Sequence, residues 1–562
     1  MASVENLVIE SITFKNSRAV RIWQAITTVT FIVAAVVTAL LIWQVLKDNK
    51  QCTSKQNDNE KNGGILTSAS KTDPPKVFIP CARQPSPLPL PDSIPGNLTR
   101  ALDKIKDLVE SAVNQTAQLP AISLNLFYQD RVLLSEHFGS KTYRTENMPN
   151  EKTVYRIGSI TKLFVVLMVY KFYEDGLIDS LDDPLSKYYP DFHIQNPFTA
   201  RNITIRQIAS QMSGLPREAP CFYTCANATT QNQLEALKNR SLVLPPGTMP
   251  SYSNVGYTLL ARLLSEKLLN NQTFEEWVTQ HILQPLNMTK SGFNITQDLL
   301  ENLAYPHHPN GTRMSFMDIY WLAPTGQMYS TSEDMVKLGM MFIQPSKQTL
   351  FLPGSLWEMM YPMSIAPDGV TLWGSPWEME FQENYLVRSK GGAIDSYVTS
   401  FAVVPELQVG MSLMISSKDF LLRRPRNWDI FNILLPALNE TLIELEDLSQ
   451  FPIDSEPYIG NYTLTRTDPL ARTQQTTFAQ VVGKKNFLEV SYYFDTKLKQ
   501  FEAHYIGKRL IFQARFTKPS FSCRRKRLGQ FEDLHFLPFN EDDLSPGFEL
   551  PGSLLTASRV QP

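Results

Sequence analysis

The sequence predicts an α+β protein: an antiparallel sheet flanked by helices with an α-helical cluster, plus a small C-terminal β-rich module and an N-terminal transmembrane helix. Three observations predict it. Strand-like runs lie towards both ends of residues 96–437, with helical stretches between them, an order that suits an antiparallel sheet joined to a helical cluster. Beyond about residue 450 short alternating runs replace the helical rhythm. Near the start, Ile22–Leu46 carries no charged residue. A chain of 562 residues is too long for one ordinary core, so several units are expected. With 43% hydrophobic and 19% charged residues it is globular in composition, and a net charge of −2 excludes an electrostatic nucleic-acid partner.

At about 1.5 Å per residue, Ile22–Leu46 makes roughly 37 Å of helix, enough to cross a hydrocarbon core of about 30 Å with some tilt. Trp23 and Trp43 fall near its ends, where indoles favour the membrane interface. A cleaved signal peptide would have a shorter apolar region, and no small-residue cleavage pattern follows, so an uncleaved anchor at 22–46 is expected after a cytoplasmic tail at 1–21. Basic flanks do not orient it: Lys15, Arg18 and Arg21 precede the span and Lys47, Lys50 and Lys55 follow it. Glycosylation sequons do. Asn97, Asn114, Asn202, Asn227, Asn239, Asn271, Asn287, Asn294, Asn310, Asn439 and Asn461 each stand two residues before Ser or Thr, and none precedes the span. Everything after Leu46 is expected to be lumenal or extracellular, making this a single-pass membrane glycoprotein.

Residues 47–95 are polar and then proline-rich, a composition that buries no core and reads as a stalk. From 96 apolar periodicity begins. Ala101–Ala117 is predicted as an amphipathic helix, and Ala121–Phe138 as a hairpin turning at Gln129–Asp130. Ser159–Glu174 is apolar almost all round and predicts a buried helix that stops at Gly176. A second apolar helix is expected at Thr258–Leu269, and strands at Tyr397–Val404 and Val409–Ser416. Residues 450–545 predict a β-rich sandwich or barrel, with strands such as Phe487–Tyr493, Phe501–Ile506 and Leu510–Phe516, and 546–562 a tail. Arg524–Arg525–Lys526–Arg527 is read as a basic surface turn. Of the five cysteines, Cys221 and Cys225 could close a small loop, while Cys52, Cys81 and Cys523 lie far apart, and pairing stays open. His307–His308 has no cysteine or carboxylate nearby, so no metal and no cofactor is expected.

Chemistry concentrates at Ser159–Ile160–Thr161–Lys162. Residues three apart on a helix share one face, which sets hydroxyl and amine one turn apart. A serine at a helix start also lies near free backbone N–H groups that can stabilise developing negative charge. Burial among Phe164, Val165 and Val166 would disfavour the ammonium form of Lys162 and let it act as a base. Ser68–Ala69–Ser70–Lys71 has the same spacing but lies in the stalk, where its lysine stays solvated and protonated. No G-x-S-x-G elbow accompanies a Ser-His-Asp arrangement.

Two further segments follow in order. Ser251–Tyr252–Ser253–Asn254 leads into the second apolar helix, and Lys390–Gly391–Gly392 comes just before the strand pair. Together with Ser159–Lys162, these resemble the S-x-x-K, Y-x-N and K-T-G motifs of class C β-lactamases and the related penicillin-binding proteins and esterases. Ser213–Gly214–Leu215–Pro216, Gln284–Pro285–Leu286–Asn287–Met288 and Thr325–Gly326–Gln327–Met328–Tyr329–Ser330–Thr331 extend the likeness over residues 100–420. The resemblance implies that Ser159 is the nucleophile, that Lys162 helps take its proton, and that Tyr252 passes that proton to the leaving group. It also implies that Asn254 meets substrate or orients Lys162, and that Lys390 adds positive charge beside Tyr252. The backbone N–H groups of Ser159 and Ala393 would form the oxyanion hole, with Gly391 and Gly392 allowing substrate close to the strand. Two departures stand out: Gly391 replaces the usual threonine, and Gln211 stands where many relatives carry histidine. The implied activity is an acyl-enzyme serine hydrolase on an amide or ester, with a small-molecule or peptide substrate and, through the anchor, the lipid bilayer as partners. The alternative is a catalytically silent binding ectodomain of the same fold.

Overall fold

The computed structural model describes Pro85 and residues 87–561, apart from 116–119, 144, 219, 221–225, 308–311, 418–424, 449–454, 469–472, 486, 495–496, 509 and 516–531. The expected anchor, most of the stalk, Ser68, all five cysteines, His308, Asn310 and the basic run at 524–527 lie outside the described residues. Among the described residues no helix is long and apolar enough to cross a membrane.

Helix α1 (Gly96–Asn114) starts earlier than its predicted Ala101. The reason is Leu98, which continues the buried stripe of Leu102, Ile105, Val109 and Val113 by one more turn. The hairpin of β1 (Ile122–Tyr128) and β2 (Arg131–Phe138) forms where expected, with Gln129 at φ +52° in its turn. A short ribbon pairs β3 (Val154–Arg156) with β4 (Tyr329–Thr331). Between them run α2 (Thr161–Glu174) and α3 (Asn254–Leu268), and α4 (Ser332–Ile343) follows.

The remaining sheet strands are β5 (Ser364–Ile365), β6 (Leu372–Trp373), β7 (Glu378–Gln382), β8 (Tyr385–Ile394), β9 (Tyr397–Val404) and β10 (Val409–Ile415). They join the hairpin in one antiparallel sheet of order β2-β1-β10-β9-β8-β7-β6-β5. Periodicity did not single out β5 to β8. Two are only two residues long, and β8 carries Arg388, Lys390, Gly391 and Gly392, which weaken a strand signal.

Alternate residues of the central strands serve two cores. Ile122, Leu124 and Leu126 of β1 and Met411, Leu413 and Ile415 of β10 pack with α1 and with Ile430, Leu434, Leu438 and Leu442 of α5 (Asn427–Leu448). Phe127, Phe401 and Met414 meet the helical cluster that contains α2 and α3. Because α5 runs on to Leu448, the sheet-and-helix unit extends past the expected boundary at 437.

The C-terminal module is a closed barrel of β11 (Gly460–Asp468), β12 (Thr473–Gly483), β13 (Leu488–Phe494), β14 (Lys497–Lys508), β15 (Ile511–Arg515), β16 (Asp533–Phe536), β17 (Gly547–Leu550) and β18 (Leu555–Arg559). Tyr462, Val481, Val490, Phe501, Phe512 and Phe548 fill its interior, so it is a packed core. Residues 546–562 are not a tail. β18 pairs with β11 and closes the barrel, and Leu555 and Ala557 belong to its core.

Candidate active site

Ser159 sits in a tight 3-10 turn, Gly158–Ile160, that runs straight into α2. Two glycines let this turn press against β8. Gly158 has φ +50° and a Cβ there would lie 2.6 Å from the Ala393 nitrogen, while a Cβ on Gly392 would lie 1.9 Å from the Ile157 carbonyl oxygen. The Thr161 hydroxyl ties the turn by donating to the Gly158 carbonyl at 2.7 Å. One turn on from the serine, in the first turn of α2, Lys162 is wholly buried, and its Nζ donates to Ser159 Oγ at 3.0 Å and to the Thr325 carbonyl at 2.8 Å.

The Tyr252 side chain faces this pair. The Nζ atoms of Lys162 and Lys390 lie 5.1 and 5.3 Å from its ring centre, and its phenol is coupled electrostatically to both amines and to the Ser159 hydroxyl. Ser253 caps α3 by accepting from the Gly256 amide, which holds the loop that carries Tyr252. Lys390 projects from β8, is 1% exposed, and donates to Glu378 Oε1 at 2.7 Å.

The electrostatics differ at each group. Burial pushes the Lys162 amine down; Tyr252 opposes this and the Lys390 charge reinforces it, with a net lowering. Burial also works against the charge on Lys390, but Tyr252 and Glu378 outweigh it and hold the ammonium form. For Tyr252, burial alone raises the phenol. Lys162, Lys390 and the Ser159 hydroxyl more than offset that and bring it down to about 8. The site therefore sets an amine and a phenol, both pushed down from their ordinary values, beside one hydroxyl.

β7 pairs with β8 only as far as Ser389. From Lys390 to Ile394, β8 is paired to β9 alone, and among the described residues no strand covers its other edge. Ala393, on that stretch, is exposed beside the serine turn. A cavity of about 370 Å³ opens here, lined by Ser159, Glu218, Asn254, Ile319, Leu322 and Ala393 among others. Among the described residues no group of three or more His, Cys, Asp or Glu side chains is placed to hold a metal ion.

Ser159, Lys162, Tyr252, Asn254, Lys390, Gly391, Gly392 and Ala393, separated by up to 234 positions, thus meet at one place, with Asn254 on the cavity wall. Its amide donates to Glu218 Oε1 at 2.6 Å. Sequence reasoning missed Glu218, which is 7% exposed, along with Glu378 and the Thr325 carbonyl. Only Thr325 had a signal, as the first residue of a recognised segment. It also missed Arg156, whose guanidinium donates to Asp395 at 2.7 Å and to Gln327 Oε1 at 2.9 Å and so braces the cavity wall.

Residues 105–434 match the family model described as Beta-lactamase. The chain is 32% identical over 502 residues to beta-lactamase-like 1 of Homo sapiens, covering 84% of this chain and 96% of that protein. It is 30% identical over 395 residues to beta-lactamase-like protein 2 of Dictyostelium discoideum, covering 67% and 70%. Among solved structures, an octameric penicillin-binding protein homologue from Pyrococcus abyssi superposes with a TM-score of 0.50 at 18% identity, over 82% of this chain and 99% of that one. A class C beta-lactamase superposes with a TM-score of 0.51 at 17% identity, over 62% and 98%.

Proposed function

Because the chain belongs to the beta-lactamase family, whose members are generally serine hydrolases, we propose that it is an active serine hydrolase that cleaves an amide or ester through an acyl-enzyme on Ser159. The observation that carries this is the buried amine of Lys162 at 3.0 Å from Ser159 Oγ, with the acidified Tyr252 phenol beside both. Lys162, with Tyr252, takes the serine proton as Oγ attacks the substrate carbonyl. The oxyanion that forms is stabilised by the Ser159 and Ala393 N–H groups. Tyr252 then delivers a proton to the departing amine or alcohol, and water enters to release the acid. The uncovered edge of β8 suits a substrate with its own amide groups, such as a peptide, which can pair along the strand.

The decisive experiment is labelling of the full chain with a serine-reactive fluorophosphonate, with the modified residue mapped. Modification at Ser159, lost in Ser159→Ala, supports the enzyme. A folded chain that no probe in a broad panel modifies supports a binding ectodomain instead.

We further propose that this domain lies on the lumenal or extracellular side of a membrane, anchored by Ile22–Leu46. Ten of the eleven sequon asparagines are described and none is buried. Eight are exposed: Asn114, Asn202, Asn227, Asn239, Asn271, Asn287, Asn294 and Asn461.

A further inference from the structure

Four basic side chains surround the reacting centre, and the fold neutralises or occupies each of them. Arg156 is paired with Asp395 at 2.7 Å, both nearly inaccessible. Lys390 is paired with Glu378 at 2.7 Å and also donates to the Gly391 carbonyl at 3.0 Å. Arg217 lies over the Tyr252 ring at 4.8 Å and contacts Glu218 at 3.2 Å. Lys162 is buried and occupied by Ser159 and Thr325. Among the described residues the buried cations Lys390 and Arg156 thus meet an incoming carboxylate already paired, and Arg217, 59% exposed, is held through its Nε by Glu218. To reach Lys390 the carboxylate would have to displace Glu378, and an ion pair at so buried a lysine is costly to break.

The cavity has the opposite character. Its wall is largely apolar, from Met317, Ile319, Leu322, Ile394 and Val398, and Glu218 is set into it. The contacts from Asn254 and Arg217 fall on Glu218 Oε1, and the carboxylate they hold faces the cavity.

We propose that the site selects its substrate by charge: it takes an apolar acyl group, best when that group carries a protonated amine that can reach Glu218, and it discriminates against substrates bearing a carboxylate, with Glu378 and Glu218 as the two residues that enforce this. The proposal rests on the serine-hydrolase reading and deepens it by naming the substrate class. Glu378 acts by holding Lys390 away from substrate anions. Glu218 acts by attracting the cation and repelling the anion.

The test uses the full chain and three p-nitrophenyl esters of matched apolar acyl groups that carry an ammonium, a neutral amide or a carboxylate. The expected order of kcat/KM is ammonium, then neutral, then carboxylate, with about tenfold or more between the extremes. In Glu218→Gln the ammonium-to-neutral ratio should fall to about one, since the amide no longer attracts the cation. In Glu378→Gln the carboxylate-to-neutral ratio should rise about fivefold or more as Lys390 is released. A wild-type order that favours the carboxylate overturns the proposal, and so does an order that survives both substitutions. If either variant fails to fold, the wild-type order and the other variant still decide. Mapped fluorophosphonate labelling on the same preparation separates the two levels. Labelled Ser159 with the wrong charge preference rejects only the substrate class, whereas no labelling and no turnover rejects both.

Discussion

Gln211 grips the chain on both sides of Tyr252: its main-chain carbonyl accepts from the Ser251 amide at 2.8 Å and its side-chain Oε1 accepts from the Ser253 amide at 2.7 Å. It does so from a left-handed backbone, φ +64°, with the side chain 1% exposed. One of the two residues that depart from the resembled motifs thus holds the phenol's loop. Gln211→Ala leaves the buried Ser253 amide unpaired, which costs about 1–3 kcal/mol. The expected outcome is a lower thermal midpoint and a kcat reduced about tenfold with KM within about threefold, because a displaced Tyr252 loses orientation at the transition state. A fall in stability with kcat unchanged would show that the grip is structural only.

Lys162→Met should keep the fold and remove most acylation. Methionine retains length and apolar packing in a site with no exposure, and loses the amine that touches Ser159 Oγ. The acylation rate should fall about 10²–10⁴-fold, the usual contribution of a general base. Stopped-flow acylation together with a melting curve checks both halves.

The phenol sets a pH dependence. Tyr252 is held at about 8 by cations, so its basic form grows as pH rises through that value, and kcat/KM should climb with it. Lys390→Met removes a cation and leaves Glu378 unpaired. Both changes favour the neutral phenol, so the rising limb must move to higher pH. A limb that stays in place would assign it to another group.

Two neighbouring glycines should respond in opposite ways. A Cβ on Gly391 meets nothing within 4 Å, so Gly391→Thr should melt within about 0.5 kcal/mol of the parent in stability. A Cβ on Gly392 would lie 1.9 Å from the Ile157 carbonyl and 2.7 Å from Thr399 Oγ1. Gly392→Ala should therefore cost about 1–3 kcal/mol or more and push the serine turn out of register, with Ser159 labelling lost. Melting curves and probe labelling of the two variants form the comparison.

Glycosidase treatment of the protein from sealed microsomes should lower its mass. Removing the exposed sequons one at a time should reduce that shift stepwise, while Asn439→Gln should leave it unchanged. Asn439 is partly buried on α5 and its Oδ1 already accepts the Tyr385 hydroxyl at 2.6 Å.

What the sequence alone determined was whatever depends on near neighbours. Ser159 and Lys162 are one helical turn apart, so their contact at 3.0 Å and the burial of the amine could be read from spacing and from the apolar run around them. The hairpin at Ile122–Phe138 and the strands at Tyr397–Val404 and Val409–Ile415 were legible because alternation and turn residues act within a few positions. The order of the three motifs pointed to the family without showing how they meet. The tertiary structure decided what lies across space. It brought Glu378 onto Lys390, Glu218 onto Asn254, the Thr325 carbonyl onto Lys162 and Gln211 onto both flanks of Tyr252. A lone carboxylate or amide has the same local pattern whether it is solvated or buried against a cation, so no periodicity marks these residues. Strand β18 shows the same limit: Leu555–Arg559 is too short to signal a strand by itself, and it forms because β11 and β17 offer it two ladders of hydrogen bonds.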